Sequence, residues 1–297
     1  MAEQWQGKTR GGILGHRIFV FIISRAGLRP AYFILRFVAF YYLLFSRSTP
    51  IIYRYFRKVH QYGKWKSFLK TYKNYRLFGQ TMLDKVALLS GATKSFTVTH
   101  EGGEVLDEVS RIGKGGILIS AHIGNWEVAG QLLNRLGTGF NILMYENEHK
   151  NLSRYMEGVL QQKKFKVIAI RDGEMSHLVE LHNAFSENEL VVMHADRFRE
   201  GNQTLETEFF GRKAKFPAGP FILGAKFGVP IVIVFGMKES ASSYRFFALP
   251  PLQVTRTRNK AEEEKNIQEL LNTYVKALEQ MVMKYPEQWF NYYEFWE

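Results

Sequence analysis

Beyond residue 96 the chain alternates short apolar runs with stretches of helical periodicity, and few folds accommodate that alternation. Runs at 96–100, 117–119, 140–145, 167–170, 189–195, 229–235 and 244–249 have strand length and are rich in branched or aromatic residues. Helical patterning is read at 152–160, 173–185 and 262–285. In the last of these Ile267, Leu270, Leu271, Tyr274, Val275, Leu278, Met281 and Val282 recur at three- and four-residue steps, and Pro286 supplies a stop. The alternation predicts an α/β fold with a central mixed, largely parallel sheet flanked by helices. Sites in such sheets gather at the carboxyl ends of strands. His122, Asp196 and the turn after Ile170 all fall at such ends.

The run at 117–119 leads into a small-residue turn carrying His122, and a helix is expected to open near Trp126 and Glu127. Imidazole has an unperturbed pKa of about 6.5, so His122 is suited to take a proton at neutral pH. A carboxylate such as Glu127 can fix its tautomer and stabilise the imidazolium. Five helical residues place two side chains about 140° apart, so the pair works only if His122 precedes the helix and folds back over its first turn. There the helix dipole also favours the Glu127 charge. Residue type and spacing alone favour a purely structural histidine.

The 297 residues contain no cysteine, which excludes a disulfide frame, a thiolate zinc site and a cysteine nucleophile and fits a reducing cytoplasmic setting. The net charge of +12 is unevenly spread. Residues 1–83 hold fifteen Lys or Arg against the single acid Glu3, whereas residues 84–297 hold 25 basic and 27 acidic side chains. The chain is therefore divided into a basic, apolar helical membrane-attachment region at 1–83 and an α/β catalytic domain at 84–297. Apolar runs at 18–23 and 31–45 are flanked by Arg25, Arg29, Arg47, Arg54, Arg57 and Lys58, and Arg36 interrupts the second. Both fall short of the ~20 residues of a simple span. Monotopic attachment to a membrane with anionic lipids, or a marginal span, is the expectation. A buried helical hairpin is the alternative. No small-residue cleavage site follows either run, so no signal peptide is expected. Uninterrupted greasy runs within the basic region favour lipid over nucleic acid as its partner. The aromatic stripe Trp65, Phe68, Leu69, Tyr72, Tyr75 and Phe78 is read mainly as packing.

Ala-His122-Ile-Gly-Asn125-Trp126-Glu127 resembles the signature of the bacterial late acyltransferases of lipid A biosynthesis, within the lysophospholipid and glycerolipid acyltransferase superfamily. The likeness extends through Ala195-Asp196-Arg197-Phe198, Phe209-Phe210-Gly211-Arg212-Lys213, Phe216-Pro217-Ala218-Gly219-Pro220 and Ala225-Lys226-Phe227-Gly228-Val229-Pro230 to the aromatic stretch 286–296, and it includes the Trp5 and Gly7 opening. It implies transfer of a fatty acyl chain from an acyl thioester, carried by acyl carrier protein or coenzyme A, to a lipid hydroxyl at the cytoplasmic face of a bacterial inner membrane. No cofactor or metal is implied. His122 would be the base and Glu127 its orienting acid, while Asn125, Trp126, Asp196, Arg197 and Arg212 would contact substrate. Backbone N–H groups around Gly124 and Asn125 are candidate oxyanion donors. Lys213 and Lys215 could meet an acidic carrier protein or a coenzyme phosphate.

The chain departs from the family pattern at Tyr145-Glu146, where a Tyr-Arg pair is common. Arg154 and Arg171 are then the nearby substitutes for a phosphate anchor, and a less phosphorylated acceptor such as an aminolipid is the corresponding expectation. Two other classes stay open. A metal-assisted lipid hydrolase would need an Asp/His ligand cluster, which the spacing does not show. A non-catalytic peripheral lipid-binding protein would need only the N-terminus.

Overall fold

The computed structural model describes residues 13–89, 96–125, 139–146, 166–171, 175–253 and 257–296. Four helices come first: α1 (Ile13–Ala26), α2 (Leu28–Phe45), α3 (Thr49–Lys58) and α4 (Lys64–Leu89). Then follow β1 (Thr97–Glu101), α5 (Gly103–Ile112), β2 (Gly116–Ser120), β3 (Phe140–Tyr145), β4 (Lys166–Ile170), α6 (Ser176–Ser186) and β5 (Leu190–His194). The hairpin β6 (Thr204–Phe209) and β7 (Arg212–Pro217) precedes α7 (Gly219–Phe227), β8 (Ile231–Lys238), β9 (Ser243–Ala248) and α8 (Lys260–Lys284).

Seven strands form one sheet in the order β1-β9-β8-β2-β5-β3-β4. From β8 to β4 all neighbours are parallel, and β9 turns back antiparallel to β8. This is the mixed, largely parallel α/β sheet that the alternation predicts. Its central strands read as continuous apolar runs because both faces are covered. Successive residues go to opposite sides. Ile117, Ile119, Val191, Met193, Ile231, Ile233 and Phe235 enter a core shared with α8 and the C-terminal aromatics. Leu118, Val192, Val232 and Val234 enter a second core with Val105, Leu106 and Val109 of α5. The helical stripe of α8 is buried as its spacing predicts, and Asn259 caps it by accepting from the Ala261 and Glu262 amides. The predicted helix at 152–160 lies outside the described residues.

Two elements went unread in the sequence. One is α5, which begins at the pair Gly102-Gly103, where the sequence suggests a turn rather than a helix start. The other is the β6–β7 hairpin, which forms a separate two-stranded sheet.

The N-terminal helices are joined to the sheet rather than appended to it. Ala39, Leu43, Ile52, Tyr55, Phe56 and Tyr75 share the larger core with the sheet residues. Helix α4 runs straight through residues 83 and 84. Ala31, Leu35, Ala39 and Leu43 form the buried side of α2, so Phe33, Phe37, Phe40, Tyr41, Leu44 and Phe45 face outward. By length and composition α2 is apolar enough to cross a membrane. The aromatic stripe of α4 meets the packing expectation in its second half, where Tyr72, Tyr75 and Phe78 pack, whereas Trp65, Phe68 and Leu69 are exposed. The buried face of α4 is partly polar: beside Tyr75, Leu83, Val86, Ala87 and Leu88, the side chains of Ser67, Thr71, Asn74, Thr81 and Asp84 are sealed from solvent. These polar groups survive burial because each is hydrogen-bonded. Asn74 donates to the carbonyls of Glu287 and Trp289 at 3.0 Å, and Asp84 pairs with Lys238 of β8.

Candidate active site

Strands β2 and β5 are adjacent and parallel, with Ser120 in register with His194. His122 and Asp196 each stand two residues beyond those partners, so the register sets them side by side. His122 Nδ1 lies 2.8 Å from Asp196 Oδ1. The His122 amide donates to the other carboxylate oxygen at 2.9 Å. The carboxylate therefore fixes both the ring and the backbone of the same residue. Asp196 is buried and His122 about a quarter exposed, which leaves the ring accessible.

Burial by itself would raise the Asp196 carboxyl, but the charge and hydrogen bond of His122, with Arg197 and His194, hold it well below the usual carboxylate range. Asp196 is ionised at neutral pH. The His194 ring stacks on His122 with centroids 4.2 Å apart. Burial, reinforced by the neighbouring His122 charge, keeps His194 well below the ordinary histidine pKa, so it is neutral.

The turn holding His122 is clamped from two sides. Gly124 has φ of 64°, and a Cβ there would meet the Gly236 carbonyl oxygen at 2.2 Å, so only glycine fits. Its amide donates to Gln288 O at 2.9 Å, and the Asn125 amide donates to Gly236 O at 2.6 Å. Both amides read as oxyanion donors are thus already committed to backbone partners. The Phe290 amide donates to His122 O at 2.9 Å. The Gln288 side chain accepts from the Lys238 amide at 2.9 Å and donates to its carbonyl at 2.7 Å, which ties the C-terminal segment to β8. The C-terminal aromatics therefore support the histidine turn.

The other expected site residues fall in different places. Asn125 is buried and donates to Thr81 O at 3.2 Å and to Tyr244 Oη at 3.4 Å, bracing the turn against α4 and β9. Arg197 donates to Phe290 O at 2.7 Å and lies over the Tyr293 ring, holding the same C-terminal segment. Arg212 is exposed on the hairpin with its guanidinium 4.7 Å from the Trp296 ring centroid. Arg171 follows β4 and sits 3.4 Å from Glu146, which offsets its charge. Trp126, Glu127 and Arg154 lie outside the described residues.

Three neighbours were not singled out from the sequence. Besides His194 these are Tyr293, which donates to Asp196 O at 3.2 Å, and Arg199, whose guanidinium lies 3.8 Å over the Tyr145 ring. The His194-Ala-Asp196 spacing at a strand end was the available signal, since alternate residues share a side. The ligand atoms of His122, His194 and Asp196 all lie within 4.8 Å of one another. This corrects the expectation that no Asp/His cluster exists. A cation there would have to compete with the hydrogen bonds that His122 already makes to both carboxylate oxygens.

A family profile described as bacterial lipid A biosynthesis acyltransferase matches residues 71–296, which include the whole His122–Asp196 unit, its clamps and the sheet. The chain belongs to that family. Among curated proteins it is similar to the phosphatidylinositol mannoside acyltransferase of Mycobacterium tuberculosis, 29% identical over 137 residues, or 44% of this chain and 41% of the relative. It is also similar to that of Mycolicibacterium smegmatis, 26% identical over 121 residues, covering 40% and 39% of the two chains. These matches span about two fifths of each relative's length. A 1-acyl-sn-glycerophosphate acyltransferase structure from Thermotoga maritima aligns over 89% of this chain and 96% of its own, with 13% identity and a TM-score of 0.36.

Proposed function

We propose that the chain is a membrane-associated O-acyltransferase that moves a fatty acyl group from a thioester to a hydroxyl of a lipid acceptor. The carrying observation is the His122–Asp196 pair at the carboxyl end of the central strands, within a family defined by lipid acylation. With Nδ1 held by Asp196, the Nε2 of His122 takes the acceptor's hydroxyl proton as the acceptor oxygen attacks the thioester carbonyl. The C–S bond then breaks, and the imidazolium returns the proton to the departing thiolate. Acid–base catalysis of this kind is worth about 10²–10⁴-fold. Asp196 stabilises the imidazolium by charge and fixes its tautomer. Glu127 remains the second acid expected from the sequence.

The donor is an acyl carrier protein or coenzyme A thioester. The hairpin cations Lys213 and Lys215, exposed on β7, suit an acidic carrier. Attachment is assigned to the outward apolar face of α2 with the exposed Trp65, Phe68 and Leu69 of α4, at the cytoplasmic face of a bacterial inner membrane. For the acceptor, Glu146 offsets the charge of Arg171 at the end of β3 and β4, which supports a weakly phosphorylated lipid such as an aminolipid. Equal activity on a bisphosphorylated saccharolipid would end that assignment.

Mass spectrometry of lipids from cells with and without the gene tests the reading. Loss of the gene should yield a lipid lighter by one acyl chain, and an unchanged lipid profile would contradict it. The His122, His194 and Asp196 cluster favours one competing reading, a metal-assisted hydrolase. Acyl transfer that persists after exhaustive chelation rules that out; loss on chelation and recovery with a divalent cation would support it.

A further inference from the structure

A cavity of about 530 Å³ opens between α2, α4 and the end of β8, and neither His122 nor Asp196 lines it. Its size is typical of small-ligand sites. Arg29 and Arg36 of α2, Lys73 and Arg76 of α4 and Lys238 of β8 converge on it, against one carboxylate, Glu239. Two of those cations are neutralised elsewhere: Lys238 by Asp84, and Lys73 by Glu287 at 3.1 Å. Glu239 is itself engaged by Arg245 at 3.2 Å and by the Tyr285 hydroxyl at 2.6 Å. Among the described residues Arg29, Arg36 and Arg76 have no carboxylate within ion-pair distance, and the Arg76 Nε is buried without an acceptor. A buried N–H without an acceptor costs free energy that a bound anion would restore. Several guanidiniums around one concavity suit the tetrahedral oxygens of a phosphate.

We propose that this cavity binds the phosphate-bearing headgroup of a membrane lipid at a site separate from the catalytic dyad. The lipid source follows from α2. Arg29, Phe33, Arg36, Phe40 and Leu44 recur at three- and four-residue steps and so share a face. Phe33 lines the cavity, while Phe33, Phe40 and Leu44 are more than half exposed. A headgroup seated among the arginines therefore has its acyl chains directed along an apolar stripe. The inference does not depend on the acyl-transfer reading, because binding is measured without turnover.

The test is binding of the full chain to phosphatidylcholine vesicles with and without phosphatidylglycerol at fixed salt. Arg29→Gln/Arg76→Gln should weaken the phosphatidylglycerol-dependent binding by tenfold or more, at roughly fivefold per lost cation. Lys114→Gln/Lys276→Gln removes the same charge at exposed positions outside both the cavity and the basic region 1–83, and should change it less than about threefold. Gln80→Trp adds bulk to the cavity lining without altering charge and should also weaken binding. Arg36→Gln replaces Arg76→Gln in the test if circular dichroism shows the latter unfolded. Equal losses from the cavity and control pairs, or wild-type binding by a folded Gln80→Trp variant, would overturn the site. Displacement of the vesicles by millimolar inorganic phosphate would overturn the lipid assignment, and none is expected.

Discussion

Asp196 accepts hydrogen bonds from both the ring and the main chain of His122, at 2.8 Å and 2.9 Å. One buried carboxylate thus sets the tautomer of the ring and the path of the turn that carries it. Neutral His194, stacked on the face of the ring, restricts its tilt.

The stacked histidine makes stability pH-dependent in a defined direction. Above about pH 6.5 His194 is neutral whether folded or unfolded. Below that value the unfolded chain takes up a proton that the folded protein refuses, because the folded pKa is depressed. Stability should therefore fall as pH drops below about 6.5, by at most about 1.4 kcal/mol per pH unit from this group. The loss levels off at the depressed folded pKa. Denaturant midpoints from pH 7.5 to 5 check this, and His194→Gln should flatten the slope.

Gly124→Ala should be severely destabilising. The new Cβ would adopt a left-handed φ of 64° and strike a backbone oxygen at 2.2 Å, and neither atom can step aside without moving β8. A loss of about 2–4 kcal/mol is expected in urea unfolding, with activity falling as the His122 turn shifts. Ala at Gly201, where φ is also positive but nothing lies within 4 Å, should cost much less.

The Asp84–Lys238 pair, with side chains 0% and 2% exposed, fastens α4 to the sheet. Burial raises the Asp84 pKa and lowers that of Lys238, while each partner opposes the shift in the other. Asp84→Leu alone should cost about 3–5 kcal/mol by stranding a buried ammonium, and Asp84→Leu/Lys238→Met should recover much of that loss. Chemical denaturation of the wild type, Asp84→Leu, Lys238→Met and the double variant measures the coupling.

Much of the sheet was legible because strands covered on both faces are written as unbroken apolar runs, as in Gly116–Ser120 and Ile231–Lys238. The hairpin was not. Thr204–Phe209 carries charges on one face and buries little on the other, so it reads as a loop. His122 and Asp196 were each placed at a strand end, but their pairing was hidden. The two lie 74 residues apart, and only the β2–β5 register joins them. The buried polar face of α4 was equally hidden, since Thr71, Asn74 and Asp84 look solvent-directed until their partners across the fold are known.

The most direct measurement is single-turnover acyl transfer from a fatty acyl thioester to bacterial membrane lipid in vesicles, read by mass spectrometry. Asp196→Asn keeps the shape of the side chain but removes the charge that supports the imidazolium. It should fold and bind vesicles as wild type does while slowing transfer by about 10²–10⁴-fold, with His122→Ala at least as slow. Wild-type rates from a folded His122→Ala or Asp196→Asn variant would contradict the proposed proton transfer.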